Sequence, residues 1–487
     1  MHLILFCPIY LLSQVRPVEP SWEDLDARKT PEWFENAKFG IFIHWGLYSV
    51  PAWSPRGTYS EWYQYWLENK KLFGNGNFTG NEIYDYHNKK YGKDFTYRDF
   101  ASDFKALDFD ADSWSDLFVR AGAKYVVLTT KHHEGFALWP SKEASDAYGG
   151  RWNSTEIGAY KDLVGEFSTA VRKTNLKLGF YISLREWGNP GYNKNNLENY
   201  VDKHFIPQVK DLVINYKPDL LWSDGPDQYN EAEWKTSNLF NWLYNSSPVR
   251  DSLVINDRWA KWSGKFHGDF YTKEYSNGDV SFDKPWEECR GIGFSFGYNQ
   301  QENLEDYTST KALILNLVNI VSRGGNLLLG IGPDANGNIP AIMQDRLIGL
   351  GNWLKINGEA IYGSRIWKNK SQWSEGRRDW KSSGKHYVGG DDILKKTLNP
   401  DEGFAVQEAF FTKKGNNLYA VVPKVSSRIV LKDLKVKPGS KVSMLGSDLP
   451  ISFQQKNNSL IISISDAILT KLPCEHAWVF KISQVID

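Results

Sequence analysis

Short apolar runs alternate with stretches of helical periodicity through most of this chain. From about Trp33 to Ile366 the strand-like runs are Phe39–Gly46 (FGIFIHWG), Ala123–His133, Leu176–Ser183, Leu220–Asp224, Ser252–Asp257 and Gly325–Pro333. They lack polar alternation, which fits strands covered on both faces of a parallel sheet. Between them apolar residues fall at helical spacing, as in Trp114, Leu117 and Phe118, in Leu163, Val164, Phe167 and Val171, and in Leu347, Leu350 and Leu354. Alternation over so long a stretch predicts an α/β domain built on one parallel sheet. Neither a GxGxxG fingerprint nor a phosphate loop follows any strand. A (β/α)8 TIM barrel is therefore expected rather than a doubly wound nucleotide-binding sheet.

After about Trp367 the texture changes. A polar stretch runs from Lys368 to Pro400. Short alternating runs follow, separated by turn residues such as Gly415-Asn416-Asn417 and Lys456-Asn457-Asn458. This pattern predicts an antiparallel β-sandwich, and 487 residues exceed one ordinary core. The expected division is a signal peptide over 1–16, a barrel over 17–367 and a sandwich over 368–487. The leader (MHLILFCPIYLLSQ) is apolar but too short to span a bilayer. An exported protein without membrane insertion is expected, in a periplasmic, extracellular or lysosomal setting. Sequons at Asn77, Asn153, Asn245, Asn369 and Asn457 agree with export, although an Asn-rich chain gains several by chance.

Formal net charge is zero, which gives no electrostatic case for nucleic acid or an anionic membrane surface. Cys7, Cys289 and Cys474 provide neither a disulfide framework nor a CxxC metal signature. Aromatic residues make up 15%, including 21 Trp; they can offer flat faces to sugar rings, but most of the Trp residues read as an aromatic core.

Polar residues gather at the C-terminal ends of the expected strands, where barrel chemistry sits. They are His44, His132, His133, Tyr181 with Glu186 nearby, Asp224, and Asn256 to Arg258. Two acidic stretches follow, one carrying Glu274 and one carrying Glu287 and Glu288. Singly, each has a structural reading. Asp224 before Gly225-Pro226 reads as a helix cap, His44 as a core histidine, Arg258 as an ion-pair partner and Glu287 as the start of a surface helix. Together, at successive strand ends, they read as a site. No serine elbow appears. His132 and His133 would point to opposite faces of a strand and lack a third spaced ligand, so no metal is expected. Carboxylates, histidines, an arginine and aromatics suit glycoside hydrolysis. Asp224, fixed at a strand end, fits an ionised nucleophile, and Glu274 in a following segment fits the acid partner.

The residues also resemble a known family, the retaining α-L-fucosidases. Similar segments include WFENAKFGIFIHWGLYSVPAW, SEWY, AGAKYVVLTTKHHEGFALW, GFYISLREW, PDLLWSDG, INDRW, TKEY, WEECRGIGFSFGYN and SRGGNLLLGIGPDANGNIP, spread over about Trp22 to Trp367. The resemblance implies a barrel plus a β-rich C-terminal domain and release of terminal α-L-fucose with retention, without a cofactor. It implies Asp224 as nucleophile. It matches Glu274 to the acid/base of bacterial members, with Glu287, in the WE-x-C segment, as second choice. Sugar contacts carry over to His44, Glu61, Trp62, His132, His133, Tyr181 and Arg258, with Trp222 as an apolar wall and Trp62 toward the sugar's methyl group. Gly330 departs from the pattern, since many members have Asn there. The implied substrate is a fucosylated oligosaccharide or glycoprotein glycan of unread linkage. A homo-oligomer is compatible and unspecified. Two other readings stand beside this one, a non-catalytic fucose-binding barrel and a barrel glycosidase for another sugar such as galactose.

Overall fold

The computed structural model describes residues 20–69, 81–261, 267–275, 284–382 and 390–486. The expected leader, Cys7 and Asn77 lie outside them. Eight strands, β1 (Phe39–Ile43), β2 (Tyr125–Lys131), β3 (Lys177–Ser183), β4 (Leu220–Asp224), β5 (Val254–Ile255), β6 (Tyr271–Glu274), β7 (Trp286–Gly291) and β8 (Asn326–Ile331), form one sheet in the order β5-β4-β3-β2-β1-β8-β7-β6. Every pairing in it is parallel. The sheet curls into the expected barrel.

Side-chain alternation splits this sheet into two cores. On β1, Phe39, Ile41 and Ile43 pack outward with the helices, while Phe42 packs inward with Tyr125, Tyr181, Trp222 and Leu328. The interior is thus unusually aromatic. Helices at Ala111–Arg120, Leu163–Val171 and Ala341–Asn357 cover the outside, and the first two begin on Asp caps, Asp110 and Asp162, whose carboxylates accept a backbone N–H.

One strand differs from the sequence reading. The segment after Pro285 is a fully buried strand, β7, and not a surface helix. Its string WEECRG hides it, because Glu287, Glu288 and Arg290 are ionisable residues yet completely or nearly completely enclosed. Glu288 and Arg290 pair with each other, which makes such burial tolerable. The carboxylate of Glu274 rides on a short strand, β6.

The antiparallel part begins at Arg365, so the change of texture near Trp367 falls inside its first strand, Arg365–Trp373. That strand joins Gln407–Lys414, Asn417–Val422, Trp478–Ser483 and Val442–Met444 in a five-stranded sheet. Arg428–Leu431, Ser459–Ser463 and Ser452–Lys456 form a second sheet. Phe411, Leu418, Ala420 and Phe480 of the first sheet pack with Leu431, Leu460 and Ile462 of the second. The opposite face of the five-stranded sheet, Phe410, Tyr419, Val421 and Val479, joins the barrel's outer core. Trp353, in the helix Ala341–Asn357, donates its indole N–H to the carbonyl of Ala477 at 2.8 Å. No helix among the described residues is long and apolar enough to cross a membrane.

The sequons are not equivalent. Asn153 is buried, and its amide nitrogen donates to the Ser141 carbonyl at 3.2 Å and to Ser145 Oγ at 2.9 Å. Asn245 and Asn457 are exposed, and Asn369 is half-buried.

Candidate active site

A cavity of about 250 Å³ opens at the C-terminal ends of the barrel strands. Drug-sized ligands occupy pockets of roughly 300 Å³ or more, so the space suits one sugar ring better than an oligosaccharide. His44, Glu61, Trp62, His132, His133, Tyr181, Trp222, Asp224, Arg258 and Glu274 all line it. Phe42, Tyr59, Trp66, Cys289 and Phe296 line it as well, and sequence reasoning missed them. Trp66 had a signal, since it lies one helical turn beyond Trp62. Tyr59 stands directly before the SEWY string.

Asp224 ends β4. Its Oδ1 accepts from Arg258 Nη1 at 3.2 Å, and its Oδ2 accepts from the Tyr181 hydroxyl at 3.2 Å, with His133 Nε2 3.5 Å away. Burial pushes its carboxyl up, but the guanidinium groups of Arg258 and Arg185 outweigh that and hold it below the ordinary range. Gly225 follows with φ +71, a conformation that disfavours other residues. A Cβ there would also meet Arg185 at 2.9 Å and His133 at 3.0 Å. The turn after Asp224 therefore requires glycine, and the side chain does not serve as a helix cap.

Glu274 ends β6. Its Oε1 accepts from the Tyr59 hydroxyl at 3.3 Å, and Arg258 Nη2 approaches its Oε2 at 3.4 Å. Burial raises its carboxyl, Arg258 lowers it and Asp224 raises it again, for a net upward shift. Arg258 thus touches both cavity carboxylates, whose proton affinities are pushed in opposite directions. Its guanidinium also lies 4.6 Å from the centre of the Trp222 ring.

Glu287 lies elsewhere. It is fully buried under Trp222, whose indole N–H donates to its Oε1 at 2.9 Å, and the Tyr125 hydroxyl donates to its other oxygen. It does not line the cavity. Burial pushes its carboxyl up to about 7.

His132 and His133 do not point to opposite faces. β2 ends at Lys131, and its pairing with β3 slips between Thr129 and Lys131. Both rings reach the cavity, with centroids 4.3 Å apart. His44 stacks on Phe296 at 4.8 Å, and burial drives its imidazole well below the ordinary value. Glu61 Oε2 accepts from the Gly297 backbone N–H at 2.9 Å and from Ser295 Oγ at 3.1 Å. At Gly330, a Cβ would stand 2.8 Å from the Phe296 ring, so glycine leaves room for that wall. Glu186 belongs to a buried group outside the cavity, in which Lys131 also donates to Gln208 of the helix Ile206–Tyr216. Glu186 pairs with Lys131 and accepts from His204 Nε2 at 2.6 Å.

A parallel barrel whose strand ends bring together two carboxylates, an arginine and a wall of aromatic rings has the build of a glycoside hydrolase. The comparisons name the family. The α-L-fucosidase family model matches residues 6–359, and the α-L-fucosidase C-terminal domain model matches 404–483. Tissue α-L-fucosidase of Homo sapiens is 38% identical over 481 residues, covering 96% of this chain and 92% of that protein. An α-L-fucosidase of Dictyostelium discoideum is 42% identical over 376 residues, covering 75% and 79%. The crystal structure of Thermotoga maritima α-fucosidase in complex with fucose superposes with a TM-score of 0.76 at 33% identity, covering 95% of this chain and 99% of that one. The chain belongs to the α-L-fucosidase family of glycoside hydrolases.

Proposed function

We propose that this enzyme releases terminal α-L-fucose in two displacements, with Asp224 as the nucleophile and Glu274 as the acid/base. The observation that carries the assignment is the shared arginine. Arg258 contacts Asp224 at 3.2 Å and Glu274 at 3.4 Å within one cavity. The net shifts favour an ionised Asp224 and a protonated Glu274, the states a retaining mechanism needs at its first step. Asp224 attacks the anomeric carbon as the glycosidic bond breaks, and the Glu274 proton goes to the leaving oxygen. Glu274 then takes a proton from water, which adds to the anomeric carbon and frees Asp224. His44, Glu61, His132, His133 and Tyr181 bind hydroxyls, and Trp62 and Trp222 offer apolar faces.

Substrates are fucosylated oligosaccharides or glycoprotein glycans. The protein is exported, a reading supported by its apolar leader and by relatives such as plasma α-L-fucosidase of Homo sapiens, 35% identical over 499 residues. The catalytic unit is taken as 17–367, with 368–487 as its support. Product analysis by NMR on an aryl α-L-fucoside tests the mechanism. The β-linked anomer as first product would overturn it.

A further inference from the structure

We propose that Thr272 and Asp257 form a positioning latch across the barrel seam that fixes Arg258 between the two cavity carboxylates. The inference rests on the assignment of Glu274 as acid/base.

The sheet order ends at β5 on one side and β6 on the other, and no ladder joins these two strands among the described residues. Side chains do much of the bridging instead. The Asp269 backbone N–H donates to the Ile255 carbonyl at 2.8 Å, and Asp269 Oδ2 accepts from the Ile255 N–H at 2.9 Å. One step higher, Asp257 Oδ1 accepts from the Thr272 N–H at 3.0 Å and from its hydroxyl at 2.6 Å. That hydroxyl proton is thereby committed to Asp257. Thr272 Oγ1 in turn accepts from Arg258 Nε at 2.8 Å. With Nε held there and the Trp222 ring alongside, the two terminal nitrogens of the guanidinium face Asp224 and Glu274. Guanidinium donors form a rigid fork, so fixing Nε fixes the aim of the rest. Thr272 stands two residues before Glu274 on the same strand and does not line the sugar cavity, so any effect it has on turnover is indirect.

The test is Thr272→Val, which keeps the branched shape and removes the hydroxyl, with Thr272→Ser as the restoring variant. Arg258 lowers the proton affinity of both Asp224 and Glu274. Releasing it should move both limbs of the kcat/KM profile to higher pH. The other ionisable groups that face this trio, Asp257, Tyr59, Tyr275, Cys289, Glu287, Tyr181, His133 and Arg185, are all retained in the variant. Thr272→Val should also lower kcat by roughly 10- to 100-fold on a fucosylated oligosaccharide, the scale of one hydrogen bond to a charged group, and by less on a fucoside with a good leaving group. Thr272→Ser should return both readings to those of the unaltered enzyme. Should Thr272→Val fail to fold, Thr272→Ala is read in the same way. A folded variant with an unmoved profile and equal losses on both substrates would overturn the latch. Glu274→Ala in the same assays separates the causes. If it shows the leaving-group dependence and the Thr272 variant does not, the latch alone falls. If neither shows it, the acid/base assignment falls with it.

Discussion

The indole N–H of Trp222 donates to Glu287 at 2.9 Å, and this bond separates two acidic residues that sequence alone left in competition. The Trp222 ring lines the cavity, while its nitrogen points below the floor. Glu287 is therefore sealed beneath the sugar site and holds up its base, whereas Glu274 stands in the cavity, with a third of its side chain exposed.

Replacing Asp224 by Gly should cut turnover of aryl α-L-fucosides by about 10⁴-fold or more, the scale seen when a covalent nucleophile is removed. Azide should then restore part of the activity by filling the vacated space and forming a fucosyl azide. Release of the aryl group followed by absorbance measures both effects. Near-normal rates in this variant would refute the assignment.

Glu274→Ala should retain cleavage of substrates with good leaving groups and lose roughly 10²- to 10⁴-fold on natural glycans, the range of general acid catalysis. Glu287→Gln should show no such split. A comparison of kcat for a dinitrophenyl fucoside and a fucosylated oligosaccharide reads the difference.

Glu287 also predicts a pH dependence of stability. Its folded carboxyl is pushed up to about 7 from an ordinary 4.5 by burial. The folded state holds this proton more tightly than the unfolded state. The contribution is therefore fully present below about pH 4.5 and is lost as pH rises to about 7, on the order of 3 kcal/mol in all. Glu287→Gln should flatten that part of the profile, as measured by denaturant unfolding at several pH values.

Outside the cavity, Lys131 and Glu186 are both fully enclosed. Burial pushes the Glu186 carboxyl up, but Lys131 and His204 more than offset this and hold it well below its ordinary value. Lys131→Met removes one partner and leaves a buried charge, which should cost about 3–5 kcal/mol. Thermal unfolding measures the loss.

Much of the barrel was legible because its strands are apolar on both faces, as β1, β2 and β4 show. β7 was not, because its ionisable side chains are satisfied inside the protein, Glu287 by the distant Tyr125 and Trp222 and Glu288 by Arg290. Asp224 and Arg258 were legible as strand-end residues. Phe296 was hidden, since it faces the cavity from a loop between β7 and β8 and no periodicity marks its direction. The convergence of His132 and His133 was hidden by a register slip that no local pattern announces.

The five-stranded sheet has one more consequence. It presents one face to its own sandwich and the other to the barrel's outer core, and Trp353 reaches across to Ala477. Sequence texture reads as two modules joined in series, but the interior is continuous. Cutting the chain near Trp367 would not yield a free-standing catalytic half, because it would strip Phe410, Tyr419 and Val479 from an apolar face and leave a sticky wound on the barrel. The C-terminal part cannot be exchanged like a cassette, and it must be inherited together with the helix it covers.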